Sequence, residues 1–396
     1  MKTLPDRPSM DHLRQQAKEL FAGLRENQPD LTLSGAQTLL AKQYGYRDWP
    51  GLKAEVDRRR ADVKTADPKL AAELAEVFGL GRPVGPMEAL TFSWAGQVWA
   101  LTTERGVWRL TEFLDYTPAD NIEVEFRLVE AAVAAGVPAA EPVRDRSGRP
   151  LAEVDGRRWR AHRELGAGTE VAVPVDSETA TGIGRIIGTL HGLRLPAPGP
   201  VHAWISCRAD EALLRRQLER SRAAGAAWTE AFERALPGML RLAATVVDDR
   251  DPAEEPILSH GSPGPGTFLR RNGGELVLTG WGHACAIPPS WEFGTALEHW
   301  GTEPSGGLNE ATVGAMVSGY RKTSGAEPYL ELGMFSGTVT GWLTWVESRV
   351  NVALGANDPK AADHAARELP GLLENPLTVE HLERVLAAAK RPTLVA

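Results

Sequence analysis

The succession of periodicities along these 396 residues predicts an α+β protein: a small β-rich lobe, then a larger helical lobe, behind an N-terminal helical extension. Three observations carry this. Between Ala89 and Glu164, short runs of β-branched and aromatic residues are bounded by turn signals and broken by one helical stretch. Beyond Glu178, most of the chain places apolar residues at helical spacing. Ahead of Pro68, three short amphipathic segments stand apart behind a polar connector.

The extension is assigned to residues 1–62. Met10, Leu13, Ala17, Leu20, Phe21 and Leu24 share one helical face, with Ser9 as the expected N-cap after Pro8. Asn27 and Pro29 close that helix. Ser34-Gly-Ala-Gln37 reads as a capping box for a second helix through Leu39, Leu40 and Tyr44, ended by Gly45. Asp48 caps a third, from Trp49 to Arg60. With its Leu4-Pro-Asp-Arg-Pro-Ser9, Gln16-Ala-Lys18 and Tyr44-Gly-Tyr-Arg-Asp-Trp49 strings, this stretch resembles a helical module at the start of many bacterial ankyrin-repeat proteins. No ankyrin repeats follow. A stabilising cap, docking on the neighbouring lobe, and contact with a partner, including a second copy in a homodimer, all remain open.

Residues 68–165 form the expected β-rich lobe. Lys69 to Phe78 is a short amphipathic helix. Strands follow at Thr91-Phe-Ser-Trp94, Gln97 to Thr103 and Val107 to Phe113, with a turn at Arg105-Gly106. A helix runs from Ile122 to Ala135 and stops at Gly136-Val-Pro138, and two more strands lie near Val143 and over Arg158 to Glu164. Residues 166–396 form the helical lobe, entered by a hinge at Glu164-Leu-Gly-Ala-Gly168. Its helices are expected at 178–193, 210–223, 226–248, 309–322, 328–354, 359–374 and 378–390. Gly182, Gly184 and Gly188 do not make a dinucleotide-binding turn, because the spacing departs from G-x-G-x-x-G and no strand precedes them.

Composition narrows the function classes. A hydrophobic share of 42% and a charged share of 24% are those of a soluble globular chain. A net charge of −8 argues against nonspecific nucleic-acid binding. No apolar run approaches the ~20 residues of a membrane span, and Met1 to Pro8 lacks a secretory apolar stretch. Cys207 and Cys285 alone make neither a disulfide framework nor a zinc site. A cytoplasmic location is the expectation. Tryptophan is over-used, 12 against 9 phenylalanines, and its flat face suits planar or cationic ligands.

The most informative segment is Leu258-Ser-His-Gly-Ser-Pro-Gly-Pro-Gly-Thr-Phe-Leu269, followed by Leu276-Val-Leu-Thr-Gly-Trp-Gly-His283. It resembles the catalytic core of the aminoglycoside phosphotransferase family, hydrophobic-His-Gly-Asp-x-x-Pro-x-Asn and then hydrophobic-Asp-Trp. His260, Gly261, Pro265, Phe268, Leu269 and Trp281 match the scaffold positions, and Leu190-His191 is similar to the family's Leu-His pair. The resemblance covers residues 80 to 350 and implies a two-lobed, protein-kinase-like fold. Three positions depart from it. Ser262 stands at the catalytic aspartate, Thr267 at a metal-binding asparagine and Gly280 at a metal-binding aspartate. Phosphoryl transfer needs a carboxylate to orient the attacking hydroxyl and hard oxygen ligands for Mg²⁺. Serine is not basic near neutral pH, and glycine offers no ligand.

The resemblance also places Arg109 where a basic residue holds the α- and β-phosphates, and Glu125 where a helix glutamate pairs with it. The loop Ser93-Trp-Ala-Gly-Gln97 has too few glycines for a convincing phosphate cradle. His260 is expected to hold the loop. Candidates to line the cleft between the lobes are His260 itself, Ser262, Thr267, His283 and Glu292, with Trp281 and Trp291 beside them. Ser262 half-matches a G-x-S-x-G elbow, but His260 replaces the first glycine and no hydrolase strand pattern surrounds it.

The sequence therefore predicts a pseudokinase that binds a small organic molecule resembling an antibiotic or natural product in the cleft between its lobes, with no metal and no cofactor. Two alternatives stay open. One is ATP-independent acid–base chemistry by His283 or Glu292 in the same cleft. The other is a phosphotransferase with displaced metal ligands, for which Asp248, Asp249 and Asp251 are the nearest acidic run.

Overall fold

A computed structural model of the chain describes residues 10–24, 32–44, 46–53, 56, 64–93, 96–113, 119–166, 168–206, 210–248, 254–355 and 359–391. Ser9, Gly45, Trp94, Cys207, Asp249 and Asp251, named above, lie outside these residues. The chain divides into two compact units. One comprises Met1–Thr117 with Val143–Glu164, the other Pro118–Pro142 with Leu165–Ala396.

In the first unit, helices at Met10–Leu24 and Leu33–Gln43 share an apolar cluster of Met10, Leu13, Ala17, Leu40, Ala41, Leu52 and Val56. The second helix is capped by Thr32, whose hydroxyl accepts from Gly35 N–H, rather than by Ser34. Asp48 does cap the next segment, accepting from Gly51 N–H at 2.9 Å. The sheet has strands β1 (Glu88–Ser93), β2 (Gly96–Thr103) and β3 (Gly106–Phe113), then β4 (Pro142–Val143), β5 (Ala152–Val154) and β6 (Arg157–Arg163). Their order is β1-β2-β3-β6-β4, with β5 folded back on β6. One face buries Trp99, Leu101, Trp108, Leu110 and Trp159 against the helix Pro68–Val77, in a core separate from that of the N-terminal helices.

The second unit holds the helix Ala119–Ala134, whose place in the sequence predicts membership of the β-rich lobe. Its Leu128, Val129 and Ala132 belong to the apolar cluster of the helical unit, which explains the grouping. Two helices, Ser177–Gly192 and Glu310–Arg321, pack so closely that a Cβ on Gly184 would stand 2.1 Å from Met316 O. A Cβ on Gly319 would meet Thr181 O at the same distance. The glycines of this helix thus serve helix packing. Three further differences from the sequence reading stand out. Strand β7 (Gly168–Glu170) occupies the end of the expected hinge and pairs with β9 (Phe268–Arg271). The helix expected from residue 328 begins at Ser336. A helix at Pro289–Gly301, opened by Pro289 in its first turn, was not foreseen, and it carries much of the site. Among the described residues no helix is long and apolar enough to cross a membrane.

Candidate functional site

The site grows from short strands of the second unit. β8 (Ile257–Ser259) pairs with β11 (Cys285–Ile287), and β9 pairs with β10 (Leu276–Leu278). Between β8 and β9 runs the loop with His260, Ser262 and Thr267, and between β10 and β11 the turn with Gly280, Trp281 and His283. His260 is fully buried. Its Nε2–H donates to Thr279 O at 2.7 Å, and its Nδ1 accepts from Ser262 N–H at 3.3 Å. The second bond requires an unprotonated Nδ1, and burial pulls the pKa below the usual histidine value, although Glu292 and the Thr279 bond favour the charged ring. Trp281 packs edge-on against this imidazole, is 6% exposed and donates to Leu278 O. Trp300 pins the loop from outside by donating to Pro263 O at 2.8 Å.

Glu292 is completely buried on the Pro289–Gly301 helix. It accepts from His191 Nε2 at 2.5 Å, from the Ser259 hydroxyl and from Gly261 N–H. On the far side of His191, Nδ1 meets the Tyr320 hydroxyl at 2.9 Å. Burial pushes the Glu292 carboxyl up, but the hydrogen bond and charge of His191, with the Ser259 hydroxyl, hold it below the usual carboxylate range. This carboxylate clamps strand β8 and the start of the loop to two helices and has no surface to offer a ligand. Trp291, 7% exposed, packs against Gly337, and it too is interior.

The residues present do not fit a phosphotransfer metal. The Thr267 hydroxyl donates to Gly264 O at 2.7 Å, so it turns into its own loop. Gly280 has φ +76°, and a Cβ built there would approach Thr267 Cγ2 to 3.1 Å. The methyl of Thr267 thus crowds the space a ligating side chain at 280 would need. No cluster of three or more His, Cys, Asp or Glu able to hold a metal occurs among the described residues.

Ser262 and His283 line a cavity of about 740 Å³ that belongs wholly to the second unit. Its other walls include Trp204, Trp342 and Trp345, the polar cluster Glu298, His299, Thr302 and His381, and Arg384. Trp204 and Trp345 meet edge to face at 6.0 Å. His381 Nε2 lies 2.9 Å from Thr302 Oγ1 and 3.7 Å from Glu298 Oε1, and Arg384 Nη2 donates to its Nδ1 at 3.3 Å. Burial lowers the His381 pKa; Glu298 opposes that and Arg384 adds to it. The Ser262 hydroxyl makes no hydrogen bond among the described residues. Cys285, beside the loop, is kept protonated, its thiol pushed up to about 12 by burial and by Glu292.

The structure thus brings Ser262 and His283 to one cavity, leaves His260 and Thr267 inside their loop, and sets Glu292, Trp281 and Trp291 in the interior. In the first unit Arg109 pairs with Glu164 at 2.9 Å, a partner other than the Glu125 expected from the resemblance. Glu125 is buried on its own helix in the second unit. The cavity's tryptophans, Glu298, His381 and Arg384 were missed. They come from the 203–206, 289–301, 336–355 and 379–390 helices, with no local motif to join them.

The model of the phosphotransferase enzyme family matches residues 87–326. That of a glyoxalase superfamily protein matches residues 3–74, the stretch likened above to the start of ankyrin-repeat proteins. No curated protein matches the chain. Among solved structures, spectinomycin phosphotransferase APH(9)-Ia, in complex with ADP and spectinomycin, is similar at 12% identity with a TM-score of 0.58, over 81% of this chain and 98% of that one. Amicoumacin kinase hAmiN, in complex with AMP-PNP, Ca²⁺ and Ami, is similar at 13% identity with a TM-score of 0.51, over 82% and 97%. At such identities the likeness is one of fold.

Proposed function

The chain belongs to the phosphotransferase enzyme family, and from the residues at its three reaction positions we propose a member that binds a small organic molecule without transferring phosphate. One observation carries the reading: the metal position at Gly280 has no side chain, and the Thr267 methyl crowds the space where one would stand. With Ser262 in place of the base, the groups that position nucleophile and Mg²⁺ are lost together. Groups acting as a unit do not fail independently, and loss of any one costs orders of magnitude.

What supports ligand binding is the cavity. Its volume of about 740 Å³ falls within the range of small-molecule sites, and its walls combine three indoles with a few convergent polar groups. The spectinomycin phosphotransferase structure holds spectinomycin together with ADP, and a molecule of natural-product size is the class proposed here. Sequestration or sensing of such a compound would need no turnover.

Titration calorimetry with ATP, with and without Mg²⁺, tests the proposal. The expected result is no Mg²⁺-dependent binding and no nucleotide consumption. Tight binding that requires Mg²⁺ would overturn it. Quenching of the cavity's tryptophans then gives the natural screen for organic ligands.

A further inference from the structure

Resting on the reading that this cavity binds an organic molecule, we propose that its ligand is a flat aromatic acid. Its rings lie against Trp204, Trp342 and Trp345, and its anionic group is held by Arg384. The charge balance of the lining supports this. It contains one carboxylate, Glu298, against one guanidinium, Arg384, and three imidazoles, His283, His299 and His381. The sum is zero with every imidazole neutral and positive with any of them protonated. A polyamine would call for the opposite balance, several carboxylates facing one cavity.

The two strong charges are also differently engaged. Glu298 is turned inward, its side chain 13% exposed. Its Oε1 accepts from Thr302 Oγ1 at 3.2 Å, and its Oε2 lies 3.5 Å from His299 Nε2. Arg384 is exposed and makes no ion pair among the described residues. Its one hydrogen bond goes to the neutral acceptor His381 Nδ1, which leaves most of its donors open. A guanidinium with an open fork in the same cavity as three indoles suits a carboxylate carried on an aromatic ring.

Position 262 strengthens the inference. An aspartate there would set a second carboxylate on the cavity wall, and serine removes it. The substitution that abolishes the base for phosphotransfer also makes the cavity hospitable to an acid.

A matched series tests the charge alone: naphthylacetate, naphthylacetamide and naphthylethylamine, titrated calorimetrically into the full chain. The acid is expected to bind most tightly and the amine most weakly. Arg384→Gln should weaken the acid by about tenfold or more, the scale of a lost charge-assisted hydrogen bond, while leaving the amide unchanged. Ser262→Asp should weaken the acid and strengthen the amine. Tighter binding of the amine, equal binding of all three, or an acid affinity untouched by Arg384→Gln overturns the proposal. So does failure of all three to bind. None of these outcomes bears on phosphotransfer, which the nucleotide titration decides separately.

Discussion

At the scale of single residues, this site is marked by two neighbours, Thr267 and Gly280, that share one space. Gly280 adopts a left-handed backbone, and the Thr267 methyl stands 3.1 Å from where its Cβ would be. Gly280→Asp therefore meets both a backbone cost and a steric one, and should destabilise the chain by about 2 kcal/mol. Thr267→Ser removes the crowding methyl and keeps the hydroxyl that donates to Gly264 O. The second change should return part of the loss, a coupling of roughly 0.5 kcal/mol or more in a denaturation cycle of the four variants. Strict additivity would show that the two positions do not share the space. The identity of these residues was readable from the sequence, because His260, Gly261, Pro265 and Trp281 fix the register of the motif. Their mutual crowding was not, since twelve residues separate them along the chain and only the β9–β10 hairpin brings them together.

Whole elements place the site, and here sequence legibility divides by mechanism. Helices such as Ser177–Gly192 and Val379–Lys390 follow from amphipathic spacing, and the structure adds Asp176 and Thr378 as their N-caps. The Pro289–Gly301 helix did not announce itself. Its Trp291, Glu292, Phe293, Ala296, Leu297 and Trp300 are buried around much of its circumference, so it lacks the polar face that marks a surface helix. The glycines at 184 and 319 carried a signal that only the tertiary contact makes intelligible. Each lets one helix backbone lie against the other, with a carbonyl where a methyl would go. Gly184→Ala should cost about 3 kcal/mol, at the top of the range for overpacking, because backbone rather than a flexible side chain must move. Urea denaturation measures it. A loss under about 0.5 kcal/mol, the scale of a neutral surface change, would mean the helices separate freely.

Across the whole molecule, buried titratable groups make stability depend on acidity in two stages. His260, His381 and His162 have pKa values lowered by burial; Arg160 and Arg109 add to the effect at His162. The unfolded chain takes up protons near the ordinary histidine value of 6.5, and the folded one resists. Their contribution is thus complete above that value and declines as pH falls toward the depressed folded values. Glu292 acts lower on the scale. His191 and Ser259 hold its carboxyl below the ordinary value of 4.5, so its contribution is complete above that value and disappears as pH falls through the folded one. The midpoint of denaturation, followed from about pH 8 downward, should therefore fall first through the histidine range and again below the carboxylate range. His381→Gln separates the stages, because it removes one histidine at the cavity wall and leaves the Glu292 network untouched. The variant should show a shallower first decline and the same second one. A midpoint constant down to about pH 5 would show that these imidazoles are protonated as readily in the fold as outside it.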